Sequence, residues 1–453
     1  MGELRVAIVG AGPAGMAAAG VLAAAGLRPL VLDEAAAPGG QVWRRMADDA
    51  TAAALLGGEY RNYRRVHDAF AALGDRIDYR RETLVWAVEE GRLHLTSGGK
   101  AGIEPYDALI LATGATDRIL PILGWTLPGV FALGGAQALL KGQGCAIGRQ
   151  IVFCGSSPLL YLAALQYAKS GAQVAAVVDT TPFRRKAAAL PGLAGGWRTV
   201  GRGLSYMLAL RRLGVEIIHG ARPMEITGKD GVEGIVLDAP GRGRVAIACD
   251  AVALGFGLRP ETQLAELAGA SFRYDADFRQ WFPVADADGR CLDALYVAGD
   301  GGAIGGADAA EASGALAAHA VLADRGRPAP GDVIARLRRE VARWRLFQRG
   351  MTAAFAWPMA LVAGLDNSVP VCRCENVTAG DIRETLGLDL GPREVNRLKA
   401  LNRCGMGRCQ GRFCGLSAAE LIGAELKLPL EAVGRLRAQA PVKPLSQPMV
   451  GDA

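Results

Sequence analysis

Residues 5–15 read Arg5-Val6-Ala7-Ile8-Val9-Gly10-Ala11-Gly12-Pro13-Ala14-Gly15. A short apolar run followed by a glycine turn predicts a strand that delivers the chain into a helix. The alanine-rich stretch to about Gly26 supplies that helix, and a second strand, Pro29 to Leu32, ends in Asp33-Glu34. Strand, glycine turn, helix, strand and acid, in that order, make a Rossmann unit. Gly10 permits the tight turn, Gly12 lets the backbone approach a pyrophosphate, and Gly15 lets the helix pack on the strand. The free N–H groups of the helix start then face the phosphates. Candidate nucleotide-binding residues are Gly10, Gly12, Pro13, Ala14 and Gly15. Asp33 and Glu34 stand where an acid accepts hydrogen bonds from ribose hydroxyls.

Two later segments point to FAD rather than NAD at this site. Ala108 to Gly114 is an apolar strand ending in Ala112-Thr113-Gly114, the turn seen in two-dinucleotide-domain flavoproteins. Leu295 to Asp300 is a second such strand, ending in Gly299-Asp300, and it resembles the segment whose Asp contacts the ribityl and phosphate portion of the flavin. Gly39-Gly40-Gln41 looks like the flavin-side turn of the same superfamily, which adds Gly40 and Gln41 to the candidates. Between these flavin segments lies a second Rossmann-like unit, with strands over Gln150–Cys154 and Gln173–Val178 and a terminal Asp179. Its turn carries Ser157 and Leu160 where the second and third glycines belong. Side chains there crowd the pyrophosphate path and the helix–strand contact, so productive NAD(P) binding is not expected.

At 453 residues the chain exceeds one hydrophobic core. Expected boundaries are 1–127 for the first part of the FAD-binding domain, 128–258 for the second Rossmann-like domain, and 259–326 for the return to the FAD domain. A helical connector over 327–367 follows, basic from Asp332 to Arg349 and most simply solvated, then a cysteine domain and tail over 368–453. The net charge of +6 is small and the arginines are scattered, which argues against nucleic-acid binding. Glycines interrupt the apolar opening, and no stretch is apolar over about 18 residues, so no transmembrane span is expected. The expected location is cytoplasmic, with peripheral attachment at the inner membrane allowed.

Five of the nine cysteines fall together: Cys372, Cys374, Cys404, Cys409 and Cys414. In a reducing compartment such clusters hold metal more often than they form disulfides. Thiolates converging from two loops suit zinc or a [2Fe–2S] cluster. The Cys-x-Cys pair fits zinc knuckles poorly, whereas Gly405, Gly407, Gly411 and Gly415 free backbone N–H groups to bond sulfur. The chosen ligands are Cys372, Cys374, Cys409 and Cys414, with Cys404 a spare thiol. Ile382, Leu386, Val395 and Leu398 are expected core positions of the helices between the two cysteine segments. Cys145, Cys154, Cys249 and Cys291 read as isolated core residues. The four histidines are far apart and no nucleophile or paired-carboxylate set stands out, so no catalytic residue is named.

With Gly124-Trp125-Thr126-Leu127-Pro128-Gly129-Val130 and Gly405 to Gly411 added to these motifs, the chain resembles the flavoprotein subunit of heteromeric amino-acid and opine oxidases and dehydrogenases. The fold implied is α/β: a two-dinucleotide-binding-domain flavoprotein with a small C-terminal helical domain similar to bacterioferritin-associated ferredoxin. The resemblance carries the cluster ligands to the same four cysteines, and Cys404 departs from the family pattern. It implies FAD, with an adenine nucleotide as the alternative, and [2Fe–2S], with FMN at a subunit interface in some relatives. The implied partner is an FAD-dependent amino-acid-oxidase-like catalytic subunit, with a small ferredoxin-like subunit in some assemblies. This chain would carry electrons onward from it. Two competing readings are a self-sufficient NAD(P)H-dependent reductase and an iron–sulfur redox-sensing protein.

Overall fold

The computed structural model describes residues 4–445, and two parallel sheets organise the chain. In the first, Val6–Val9 lies between Leu30–Leu32 and Ala108–Leu111, with Asp78–Arg80 and Leu295–Val297 outside them, all parallel. Arg290–Leu292 closes one edge antiparallel. Val6–Val9 and Ala108–Leu111 are buried at every position, because both faces of the sheet are covered. On one face Val6, Ile8 and Ile110 meet the helices Pro13–Ala24 and Ala307–Asp324. On the other, Ala7, Val9 and Leu111 meet Val85, Leu93 and Leu95 of a three-stranded antiparallel sheet spanning 83–105. The alanine content of the two helices has a packing cause. They approach so closely that a Cβ on Gly314 would land on the Ala14 carbonyl.

The second sheet runs Glu216–His219, Gln173–Asp179, Gln150–Gly155, Ala251–Gly255, Val130–Ala132, all parallel. The chain enters and leaves it through a two-stranded antiparallel link, Ala115–Asp117 with Leu258–Pro260. A further antiparallel sheet spans 222–248. The basic connector is not a free solvated helix. It runs from Gly331 to Ala354 and braces the two halves, packing on Ala307–Asp324 of one and on Phe183–Ala189 and the turn Leu190–Gly196 of the other. Val341 and Phe347 are buried in those contacts, and a Cβ on Gly196 would collide with the Phe347 ring. The buried residues are spaced along a largely polar helix, too sparse a signal to read from sequence.

The C-terminal domain contains the hairpin Pro370–Cys372 with Val377–Thr378, then helices Ala379–Leu386, Val395–Asn402 and Gly415–Leu426. Thr378 and Asp381 form a capping box that starts the first helix. Ile382, Val395 and Leu398 are buried, with Leu386 packed at the margin. The residues from 446 onward, part of the tail assigned to this domain, lie outside the described residues. Cys154 and Cys249 are buried and Cys291 half-buried, but Cys145 is exposed, in the loop after the helix Leu133–Gln143. No helix among the described residues is long and apolar enough to cross a membrane.

The C-terminal domain is anchored by a buried ion cluster. Glu420 accepts from Arg118 at 3.2 Å and from Arg279 at 2.9 and 2.6 Å, and its side chain is 1 % exposed. The Arg118 guanidinium lies 3.7 Å over the Trp357 ring. Ser417 Oγ donates to Ile119 O at 2.7 Å, and Trp125 Nε1 donates to Pro370 O at 2.7 Å. Removing one partner of a buried pair leaves a charge without compensation. Glu420→Ala is therefore expected to cost about 3–5 kcal/mol in urea unfolding. Glu216→Ala, at an exposed pair with Arg242, should change stability by about 1 kcal/mol or less.

Candidate functional site

The turn after the first strand is built for close backbone approach. Gly10 has φ +104°, and a Cβ there would meet the Ala112 carbonyl, while a Cβ on Gly15 would land on the Gly10 carbonyl oxygen. Pro13 occupies the first turn of the helix, no acidic side chain stands in that turn, and Gly12 caps it without a side-chain bond. The helix start is thus free to face an anion. Gly40, at φ +60°, closes over the turn, its would-be Cβ 3.0 Å from Gly12 Cα. These cradles are ones a side chain would fill, and they fit a dinucleotide.

Asp33 is more enclosed than a ribose acceptor at a strand end. Its Oδ2 accepts from Ala11 N at 2.5 Å and its Oδ1 from Ala35 N at 2.7 Å. Burial raises its pKa against the pull of those two bonds. The carboxylate holds the glycine turn against the second strand and keeps spare acceptor capacity. Glu34 is exposed and pairs with Lys443. Asp300 Oδ1 accepts from Gly305 N at 2.8 Å and Gly306 N at 3.0 Å, and burial raises its pKa too. Gln41 is exposed, and its Oε1 accepts from Arg44 at 2.9 Å. Beside Arg44 lies the buried Lys141, its pKa pushed down to about 8 by burial and then by that neighbour. No sequence motif distinguished these two cations.

The second unit repeats the order of four parallel strands, its fifth, Val130–Ala132, preceding the others in the chain, and it has a closed site. Asp179, where an NAD-binding acid would stand, is 0 % exposed. It is bonded to Tyr161 Oη and Lys186 Nζ, and its Oδ1 accepts from Thr181 N at 2.8 Å. Lys186 also reaches His219 Nδ1 at 3.1 Å and lies 5.2 Å from the Phe355 ring centre, just past the brace helix. Ser156, Ser157 and Leu160 are buried in the turn. The residues present do not fit a nicotinamide dinucleotide.

All five clustered cysteines converge. The Sγ atoms of Cys372, Cys404 and Cys414 lie within 4.8 Å of one another, buried. Cys374 and Cys409 share a hydrogen bond beside them, and Cys409 bonds Cys414. Hydrogen bonds from Cys404 and Cys414 hold the Cys372 thiol well below its ordinary pKa, and Cys414 does the same for Cys409. Cys404 and Cys414 are raised, chiefly because each donates to Cys372, and burial raises Cys374. A set of sulfurs sharing protons is one a metal can occupy by displacing them. The donor set is all sulfur, which fits an iron–sulfur cluster or zinc. Cys404 stands inside the set rather than apart as a spare thiol. Arg403 before it takes a left-handed conformation, and the Cys404 N–H donates to Asn402 Oδ1 at 3.0 Å.

One residue over the cysteine loop carries no motif. Leu436 Cδ1 would touch a Cβ placed on Gly405, Gly411 or Gly415, at 2.6, 2.5 and 3.0 Å. Those glycines therefore make room for a leucine roof; the N–H groups of Gly405 and Gly411 also bond Cys372 and Cys409, whereas that of Gly415 donates to the Gly411 carbonyl at 2.9 Å.

The loop is fastened through Glu261 to a second nucleotide turn, Ala112-Thr113-Gly114. Thr113 Oγ1 donates to Glu261 O at 2.6 Å, and Glu261 N donates to Gly114 O at 2.9 Å. The Glu261 carboxylate then accepts from Arg412 at 2.7 and 3.2 Å, between Cys409 and Cys414. Gln263 Nε2 donates to Gln410 O at 2.8 Å. Burial works against the Glu261 carboxylate, yet Arg412 and Arg259 hold its pKa below the usual value.

The family model described as pyridine nucleotide-disulphide oxidoreductase matches residues 4–314. An opine oxidase subunit from Rhizobium meliloti is 37% identical, over 97% of this chain and 86% of its own length. Hydrogen cyanide synthase subunit HcnB of Pseudomonas aeruginosa is 32% identical, over 98% of this chain and 97% of its own. Among solved structures, L-proline dehydrogenase from P. horikoshii shares the fold, with a TM-score of 0.71 over 99% of this chain and 80% of that one at 21% identity.

Two substitutions test this geometry. Gly15→Ala puts a methyl group on the Gly10 carbonyl, so the purified variant is expected to release little or no nucleotide on heating where the native chain releases a stoichiometric amount. Leu436→Ala opens the roof, so metal held by the sulfur loop, assayed during exposure to air, should be lost faster than from the native chain. Equal rates would mean that Leu436 does not shield the loop.

Proposed function

This chain belongs to the pyridine nucleotide-disulphide oxidoreductase family, and we propose that it is the flavoprotein subunit of a heteromeric oxidoreductase and carries electrons from a partner's flavin through its own FAD and a [2Fe–2S] cluster. The observation that carries this reading is the Glu261 fastening, which makes the Ala112-Thr113-Gly114 turn and the sulfur loop one hydrogen-bonded unit. When bound, the flavin accepts an electron pair and the cluster passes single electrons. The protein's work is to bind, orient and shield. Gly10, Gly12, Pro13, Ala14 and Gly15 admit the pyrophosphate, and Asp33 fixes that turn and offers its remaining lone pairs to the ribose. Ala112, Thr113 and Gly114, with Gly40 and Gln41, would hold the flavin side, and Gly299 with Asp300 would hold the ribityl and phosphate portion. Cys372, Cys374, Cys409 and Cys414 hold the cluster, with Cys404 near enough to exchange with one of them.

The substrate is an amino acid, imino acid or opine, oxidised at its C–N bond on an FAD-dependent amino-acid-oxidase-like partner. The names of the relatives support that class: opine oxidase, hydrogen cyanide synthase, and, from Rhizobium meliloti, the alpha chain of sarcosine oxidase. An FMN at the subunit interface and a small ferredoxin-like subunit complete the proposed assembly. NAD(P) has no part in it, since Asp179 is spent on Lys186, Tyr161 and Thr181.

An anaerobic visible spectrum of the purified chain, with iron and sulfide assays, tests the cofactors. Flavin bands over a broad iron–sulfur envelope are expected, both bleached by dithionite and neither by NADH. A colourless, zinc-containing chain would sink the relay. Rapid bleaching by NADH would establish a self-sufficient reductase instead.

A further inference from the structure

The helix Trp197–Arg212 is anomalous for a globular chain. Leu210 is its one buried residue. A surface helix ordinarily turns its apolar stripe toward its own core. Here Trp197, Leu204 and Leu208, spaced to share one face, are exposed at 69, 58 and 50 %. Leu210 lies on the opposite side of the helix. Leu213 just beyond its end is 58 % exposed, and Phe183 and Leu190 in the preceding segment are 58 and 53 % exposed. Trp197, Leu204 and Leu208 thus make one exposed apolar face, and three more large apolar side chains are exposed within the same 31-residue segment.

The same segment is basic without exception. Residues 183–213 contain Arg184, Arg185, Lys186, Arg198, Arg202, Arg211 and Arg212 and no Asp or Glu. Lys186 is spent on Asp179 and Arg202 on Glu59. The other five have no carboxylate partner among the described residues. Arg211 and Arg212 flank the end of the apolar stripe, and Arg198 lies over the edge of Trp197 at 5.4 Å.

We propose that this face docks the substrate-oxidising partner subunit, which presents an apolar patch rimmed by carboxylates. The inference rests on the heteromeric reading above. An apolar face with Arg198 at one end and Arg211 and Arg212 at the other has the anatomy of a protein interface, and Trp and Arg are the residue types that dominate binding energy. A second copy of the chain is disfavoured, because a two-fold contact would set the same unpaired cations against each other. An amphipathic helix lying on lipid would place its cations opposite the apolar stripe, not along its end. The proposal also gives the second Rossmann unit a role. Its nucleotide site is closed, and Trp197–Arg212, the second helix after its Asp179, serves as a platform.

The test uses the full chain co-produced with its candidate FAD-dependent amino-acid-oxidase-like partner. Hydrogen exchange of the complex should show protection over 197–213. The double variant Leu204→Asp/Leu208→Asp should weaken the complex by about tenfold or more, with the spectrum and melting of the free chain unchanged. Arg211→Glu/Arg212→Glu should weaken it and flatten its salt dependence. Full affinity in both variants, with protection elsewhere, overturns the docking face and leaves the heteromeric reading standing. Failure of the native chain to form any complex removes the heteromeric reading itself. Pelleting with phosphatidylglycerol vesicles that the Asp variant abolishes, while partner affinity stays intact, assigns the face to lipid. A native dimer that the Asp variant dissociates assigns it to self-association.

Discussion

Glu261 is the constraint on which the arrangement of the two sites depends. Its peptide group is tied to Thr113 and Gly114, and its carboxylate to Arg412. The side chains of Glu261 and Arg412 are 11 and 12 % exposed. A buried carboxylate without its guanidinium would be strongly unfavourable, so the loop holding Cys409 and Cys414 cannot drift from the Ala112-Thr113-Gly114 turn without exposing both charges. Arg412 also donates to the Val442 carbonyl, which ties in the segment that carries Leu436. Roof, loop and turn thus move as one body.

Much of this architecture is legible in the sequence because the decisive signals are local. Val6–Gly15 contains a strand, a turn and a helix start whose requirements involve neighbours a few residues apart. The expected borders at 127 and 258 rest on local chain signals, whereas the first strand of the link between the two sheets, Ala115–Asp117 with Leu258–Pro260, ends ten residues before the first of them. What sequence does not reveal is long-range. Glu261 and Arg412 are 151 residues apart, and neither belongs to a motif. Arg118 and Glu420, 302 apart, read separately as ordinary charged residues. The brace helix is misleading for the same reason, since its apolar contacts are few and widely separated. Cys404 reads as superfluous by counting four ligands, and only the folded loop brings it beside Cys372 and Cys414.

The second Rossmann unit separates fold from site. Its five parallel strands need only apolar runs of the right length, and these persist. Its nucleotide site needs an open turn and an unspent acid. Ser157 and Leu160 close the turn from within. Asp179 is satisfied by its own chain, while burial holds the Lys186 pKa below its ordinary value against the opposing pull of Asp179. Stability and ligand binding draw on the same carboxylate here, and the ion pair takes it. A domain in that state keeps its shape without its nucleotide, which frees its outer helices to serve another surface.

Charge around the sulfur loop follows from the same fastening. Glu261 stands just past the strand Leu258–Pro260, Gln263 opens the helix Gln263–Leu267, and both bond the loop. Arg259 precedes Glu261 by two residues, the spacing that returns a strand to the same side. One of its terminal nitrogens is buried without a hydrogen-bond partner among the described residues. Burial lowers the Arg259 pKa, while Glu261 raises it and Cys409 and Cys414 act in the same direction. A cation held there favours anionic sulfur over neutral thiol, the protonation state that metal ligation requires. The strand that fastens the loop to the Ala112-Thr113-Gly114 turn therefore also supplies the positive charge that the sulfurs need.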